Sequence, residues 1–281
     1  MRRIRSFWVS VWLLACLTVG SVLSGCSFFA ETAFGGLPSD MQAKLHSTTR
    51  TETNPSVFRV VLEGVINIPI VRGGVPAFRA VKCSKLSGSG FFVTENGYAV
   101  TAAHVVETES LDKKCVEYLM TYFAMNADDA RNFKKDFVAT AITAEGKEYK
   151  VSIVALTSLE KEDLALLRIT PGPRETFKAL TITKVNPFVG HTVKALGSPF
   201  GVASSRSDGE ITTLETQDPY FMITSAPTYP GNSGGPVIDI ASSLVVGVVD
   251  KGPHTHPEIT FIVKPEVVRR FLNDNVPGQR F

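Results

Sequence analysis

The sequence predicts an all-β fold, a barrel or a sandwich, with one helical insertion and a short C-terminal helix. Short β-branched or alternating runs recur from Val57 onward, among them VFRVVLEGVINI, GSGFFVT, GYAVTAAHVV, DLALLRI, HTVKALG, PVIDI, SLVVGVV and ITFIVK. Gly, Pro, Asn or Asp separates the runs, the pattern of many short strands joined by turns. Strands and helices do not alternate along the chain, which argues against a parallel α/β sheet.

Individual elements follow from local chemistry. Thr94-Glu95-Asn96-Gly97 lies between two apolar runs and reads as a hairpin turn, with Asn96 and Gly97 both expected at positive φ. Leu111 to Phe137 reads helical, with Tyr118, Met120, Tyr122, Phe123 and Met125 as apolar material and Asn126 as the cap of a second helix. These residues need no cofactor, because packing on the strands accounts for them. Glu266 to Asn273 reads as a helix behind Pro265, which suits a first helical turn.

Composition bounds the function. Of the 281 residues 44% are hydrophobic and 20% charged, enough apolar material for a substantial core. Arg2, Arg3 and Arg5 account for the net positive charge, and without them 26 basic residues face 27 acidic ones. That balance gives no electrostatic footprint for nucleic acid. The basic start, the apolar run Phe7 to Val22 and the small residues after it form a secretory signal over residues 1–25. Leu23-Ser24-Gly25-Cys26 resembles the bacterial lipobox, which implies cleavage before Cys26 and lipid on that residue. A plain signal peptide or an uncleaved anchor is the alternative. Residues 26–55 read as a flexible tether containing an inert His46, and residues 56–281 as the folded domain. The expected location is the exported face of a bacterial membrane. Export permits a disulfide between Cys83 and Cys115, with two free thiols as the alternative.

Pro230-Gly-Asn-Ser-Gly-Gly-Pro236 packs three glycines and two prolines around Ser233. A serine nucleophile needs a base, usually histidine, and the imidazole needs an acceptor that fixes its tautomer. His104 lies in the apolar run VTAAHVV. Asp163 heads DLALLRI, where a carboxylate joined directly to an apolar strand is partly buried and needs a partner. His191 reads as a surface residue. His254 and His256 flank a threonine in a proline-bounded loop, a weak metal pattern with no ligand cluster at suitable spacing. Gly231 to Gly235 also fits the G-x-S-x-G elbow of α/β-hydrolases, with Asp239 or Asp250 and His254 in the required order. That elbow should lead into a helix, whereas Pro236 leads into a strand-like run.

Taken together, SGSGFFVTENGYAVTAAHVV, KEDLALLRI, LGSPFG, PGNSGGPVID and ITFIVKPEVVRRFL resemble, in order, the trypsin-fold serine proteases of the HtrA/Deg group. The resemblance spans roughly Leu86 to Leu272. It implies two six-stranded-type β-barrels and a catalytic triad of His104, Asp163 and Ser233. It also implies an oxyanion hole from the amides of Gly231 and Ser233, and no metal or organic cofactor. Thr228, Val248, Val249 and Asp250 are expected to line the substrate pocket. The trypsin-type basic preference uses an Asp six residues before the nucleophile. Pro227 stands there, so a small or medium apolar residue before the cut is expected. Asn232 cannot form the ion pair of zymogen-activated relatives, so no zymogen step is expected. Switching is expected instead from the loops SPFGVASSRSDGE and TTLETQDPYF. Partners implied are protein or peptide substrates, the membrane through the lipid, and a homo-oligomer, since trimers are common in the group. The chain stops at Phe281, so the expectation is that it lacks the PDZ domain most such proteins carry. The competing class is a binding protein, a chaperone-like holder or adhesin, on the same fold.

Overall fold

A computed structural model describes residues 49–201, 205–252 and 256–281. The predicted signal, Cys26, His46 and His254 lie outside the described residues. The chain enters through β1 (Arg50–Thr51), which pairs antiparallel with a later strand, Arg50 opposite Arg206. Glu52 holds this entry, bonding Lys194 at 2.7 Å and Arg206 at 2.8 Å. Burial pushes the Glu52 carboxyl up, but those two cations outweigh it and hold it below its ordinary value. The segment 26–55 expected as tether therefore ends in folded residues, because two partners distant in sequence give its last residues a ladder and an ion pair.

Six strands close the first barrel in the order β2 (Val57–Arg72), β3 (Val75–Phe92), β4 (Tyr98–Ala102), β7 (Leu164–Ile169), β6 (Glu148–Leu156) and β5 (Lys135–Thr143). The second sheet contains β8 (Thr192–Gly197), β9 (Ser205–Thr213), β10 (Phe221–Thr224), β11 (Pro236–Asp239), β12 (Val245–Val249) and β13 (Thr260–Val263). Its order is β1-β9-β10-β13-β12-β11-β8, and β8 pairs back onto β9. Six of its strands therefore run round in a ring. This is the double-barrel arrangement of trypsin-like folds, as expected.

A short helical turn, α1 (Ala103–Val106), follows β4, and α2 (Thr108–Phe123) and α3 (Ala127–Asn132) form the insertion. Glu107 caps α2, and Asn126 caps α3 by accepting from the Asp129 amide at 2.9 Å. The helical reading overran at its end. Residues from Lys135 belong to β5, where pairing with β2 overrides local preference. The turn after β3 also differs. Gly97 has φ +100°, but Asn96 is not among the positive-φ residues. Asn96 instead accepts a 2.6 Å bond from the Thr94 hydroxyl, which in turn accepts from the Tyr98 amide.

β2 and β3 extend beyond the barrel as a two-stranded ribbon. β5 accompanies β2 only as far as Ile66 opposite Lys135. Gly73 and Gly74, with φ of +60° and +81°, close the ribbon between Arg72 and Val75. A two-residue turn of this kind needs positive φ at both positions. The insertion covers one face of the ribbon, gathering Ile66, Cys83, Cys115, Leu119 and Ala130 into a small core. Cys83 and Cys115 form a disulfide across that core. It spans 32 residues and contributes about 3–4 kcal/mol in the chain-entropy account. A Cβ on Gly64 would lie 2.5 Å from the Cys115 sulfur, so glycine permits the helix to approach there.

The largest core joins the halves. Phe91, Val100, Leu164 and Leu166 of the first barrel pack with Leu196, Phe221, Val248 and Val263 of the second. The C-terminal helix α4 (Pro265–Asn275) adds Val267, Val268, Phe271 and Leu272 to the same cluster. Pro265 opens that helix, as its sequence predicts.

Candidate active site

His104 leaves the end of β4 on the tight turn α1. Ala102, Ala103, Val105 and Val106 around it are fully buried, and only His104 keeps an exposed side chain, at 40%. The small alanines let the turn lie on the barrel, and the flanking apolar residues anchor it. Asp163 precedes β7, the strand paired with β4 from Tyr98–Arg168 to Ala102–Leu164. The ladder thus holds the two residues side by side. Asp163 adopts φ +46°, a conformation that non-glycine residues rarely adopt and that recurs at functional sites. Its amide donates to the Ser158 carbonyl, and its own carbonyl accepts from the Ala103 amide.

The Asp163 carboxylate takes two bonds from His104. One oxygen accepts from the His104 amide at 2.9 Å, and the other lies 2.5 Å from imidazole Nδ1. Nε2 is left as the nitrogen that can act outward. Burial pulls the His104 imidazole down, but the bond and charge of Asp163, joined by Asp250, outweigh it and raise its pKa. Burial pushes Asp163 up, but the bonds from His104 and the neighbouring Asp250 hold it below its ordinary value.

Ser233 comes from the other half, on the turn before β11. The backbone there needs glycine at two places. Gly231 has φ +106°, and a Cβ on it would lie 2.5 Å from the Ser198 carbonyl oxygen. Gly234 has φ +83°, and a Cβ on it would overlap the Ser89 carbonyl and the Thr101 hydroxyl of the first barrel. Three turn amides are engaged, Asn232 with the Tyr229 carbonyl, Gly234 with the Val249 carbonyl and Gly235 with the Asn232 carbonyl. Those of Gly231 and Ser233 have no acceptor among the described residues. The Ser233 hydroxyl donates to the Asp250 carbonyl at 3.1 Å. The turn runs into strand β11, not a helix, which removes the α/β-hydrolase elbow.

Ser89 was not singled out from the sequence. It is fully buried on β3, and three of its bonds cross between the halves. Its amide donates to the Ser233 carbonyl at 2.8 Å, its hydroxyl donates to the Gly231 carbonyl at 2.6 Å, and that hydroxyl accepts from the Ser198 amide at 2.9 Å. The signal was the small-residue run Ser87-Gly88-Ser89-Gly90, since a Cβ on Gly88 would lie 2.8 Å from the Ser233 carbonyl.

The expected pocket residues divide. Val248 and Val249 are buried on opposite faces of β12, in two different cores. Successive strand side chains point to opposite faces, so neither valine side chain lines an open cleft. Thr228 is half-buried and shares a 2.8 Å hydroxyl bond with Thr260. Asp250 lies beside the His104–Asp163 pair, with one ring nitrogen or carboxylate oxygen of each of the three residues within 4.8 Å of the others. His191 is not the surface residue expected. Its side chain is 23% exposed, stacks on Phe188 and lies 3.2 Å from Asp239. His256 is exposed beside Glu258.

This architecture and site define a class. The trypsin-like peptidase domain family matches residues 88–248, more than half of the chain, and the chain belongs to that family. Among curated proteins, a probable periplasmic serine endoprotease DegP-like of Halomonas elongata is 32% identical over 163 residues. That match covers 56% of this chain and 28% of the relative. Serine protease HTRA4 of Mus musculus is 26% identical over 233 residues, covering 78% of this chain and 40% of that protein. The chain thus spans less than half the length of these relatives. Among solved structures, the serine endoprotease from Yersinia pestis superposes with a TM-score of 0.54 at 19% identity, over 87% of this chain and 69% of that one. That likeness concerns the fold.

Proposed function

We propose that this chain is a serine endopeptidase acting on exported proteins at a bacterial cell envelope. The observation that carries the reading is a His104–Asp163 pair and a glycine-held Ser233, both meeting Asp250, with two amides of the serine's turn lacking acceptors among the described residues. Ser233 Oγ attacks the substrate carbonyl, and its proton passes to His104 Nε2. The oxygen that becomes negative is received by the amides of Gly231 and Ser233, donors of a kind worth about 3–4 kcal/mol each in the transition state. His104 then returns the proton to the leaving amine, and a water repeats the sequence to release the acyl group. Asp163 keeps Nδ1 protonated and balances the charge of the imidazolium.

The names of the relatives support export, and the lipobox-like Cys26 supports a lipid anchor at the membrane. Pro227, where a basic-specific enzyme needs a carboxylate, supports cleavage after a small or medium apolar residue. Extended substrate would pair with the backbone that follows β12. One observation favours a second reading, a protein holder on the same fold. The Ser233 hydroxyl donates to the Asp250 carbonyl and makes no bond to His104 among the described residues.

A fluorophosphonate probe separates the two. The purified full-length chain is expected to gain one adduct by intact mass, and Ser233→Ala to gain none. Folded wild-type protein that stays unlabelled, even with unfolded casein present, would favour the holder.

A further inference from the structure

The His104–Asp163 pair has a third member that a serine mechanism does not require. Asp250 follows β12 and is 1% exposed. Neither oxygen of its carboxyl accepts a hydrogen bond among the described residues. Asp163, by contrast, receives two N–H donors from His104, which fix it as the anion. Two buried carboxylates this close cannot both ionise without a large penalty. A carboxyl that accepts no hydrogen bond among the described residues, facing a carboxylate that accepts two, is where the proton belongs.

We propose that Asp250 is a positioning residue, a neutral carboxylic acid whose proton is shared with Asp163 and whose ionisation competes with that of His104. The inference rests on the peptidase reading for its consequence, but not for its chemistry. Among the described residues, the groups facing Asp250 are few. Asp163 approaches from the start of β7 and His104 from α1. Lys251, its chain neighbour, places Nζ 3.5 Å from one carboxyl oxygen, but its own side chain is 63% exposed and screened by water. β13 contributes no ionisable residue, only the Phe261 carbonyl that accepts from the Asp250 amide. Asp239 of β11 belongs to the far end of that strand, bonded within its own turn. Burial first, and then the adjacent Asp163, push the Asp250 carboxyl up to about 7, with Lys251 and His104 only partly opposing them.

The consequence is a coupled titration. At acid pH both Asp250 and His104 carry protons. When one of these leaves, the remaining proton can sit on Asp250 with His104 free to act as base, or on His104 with Asp250 charged. Only the first arrangement can accept the Ser233 proton. The observed pH limb then belongs to the pair and not to His104 by itself. Asparagine at this position keeps the shape and an N–H donor for Asp163, but it cannot ionise.

The test is the second-order rate of fluorophosphonate labelling of the full-length chain against pH, for wild type and Asp250→Asn. Thermal unfolding is followed over the same pH values. The acid limb is expected about one pH unit lower in Asp250→Asn, because the competing negative charge is gone. The melting difference supplies a readout independent of activity. Unfolded Asp250 ionises near its ordinary value of about 4, whereas the folded group keeps its proton to about 7. Wild type therefore loses stability as pH rises through that window, and the advantage of Asp250→Asn should grow across it. A limb that stays in place or moves up, with a melting difference flat in pH, overturns the inference. If wild type is folded but labels at no pH, the peptidase reading fails, and the melting difference still decides whether Asp250 holds the proton. Asp250→Ser, which also cannot ionise, takes the place of Asp250→Asn if the latter does not fold.

Discussion

The two halves of the molecule hold the candidate site residues by different means. In the first barrel, His104 and Asp163 stand at the ends of β4 and β7, and five residue pairs of one antiparallel ladder set their separation. In the second, Ser233 lies outside any strand, and bonds reaching over from the first barrel hold its turn, chiefly through Ser89. The difference teaches that the proposed acid–base pair is built into a sheet, while the proposed nucleophile depends on how the halves meet. A change inside the ladder should disturb chemistry and spare the fold. A change at the seam should disturb both.

The largest expected effect falls on the ladder side. Asp163→Asn should lower the labelling rate by about 10⁴-fold, since the amide favours the wrong imidazole tautomer, with little change in the unfolding midpoint. A loss of under about tenfold would break the comparison, because the pair would not be the seat of the base. Next comes the seam. Gly234→Ala forces a Cβ into the Ser89 carbonyl at a positive φ. It should cost about 3 kcal/mol in urea unfolding and impair labelling as well. Ser89→Ala sharpens the same point with less force. It removes the hydroxyl bonds to Gly231 and Ser198 but leaves the amide bond to Ser233. A loss of about 1–2 kcal/mol and a roughly tenfold slower labelling rate are expected. The smallest effect belongs to the ribbon tip. At Gly73 no described residue lies within 4 Å of an added Cβ, so Gly73→Ala should cost only the backbone strain of φ +60°. That is about 1 kcal/mol, with labelling unchanged.

Parts of this were legible one residue at a time. Asn126 and Pro265 announced their helices because capping and first-turn geometry involve neighbours in the chain. Asp163 was readable as buried because a carboxylate abuts an apolar run. The errors had local causes too. Asn96 was expected at positive φ because Asn-Gly commonly turns that way, but the Thr94 hydroxyl selected another turn. The helical reading beyond Asn132 failed because pairing with β2 decides the state of Lys135 to Phe137. Val248 and Val249 were expected in a pocket because their strand approaches the site, yet β12 has a core on each face.

What the amino-acid order determined without help was local or repetitive: the succession of strands, the glycine turn around Ser233, the helix caps, and the order of histidine, aspartate and serine. Those depend on backbone preferences and side-chain periodicity within a few residues. The tertiary structure decided what requires distant segments to meet. It joined Cys83 to Cys115 and drew Glu52 into the second sheet. It set Ser89 against Gly231 across 142 residues and placed Asp250 beside Asp163. No local pattern encodes such contacts, because a buried hydroxyl or carboxyl acquires its role only when folding removes water and supplies the neighbour.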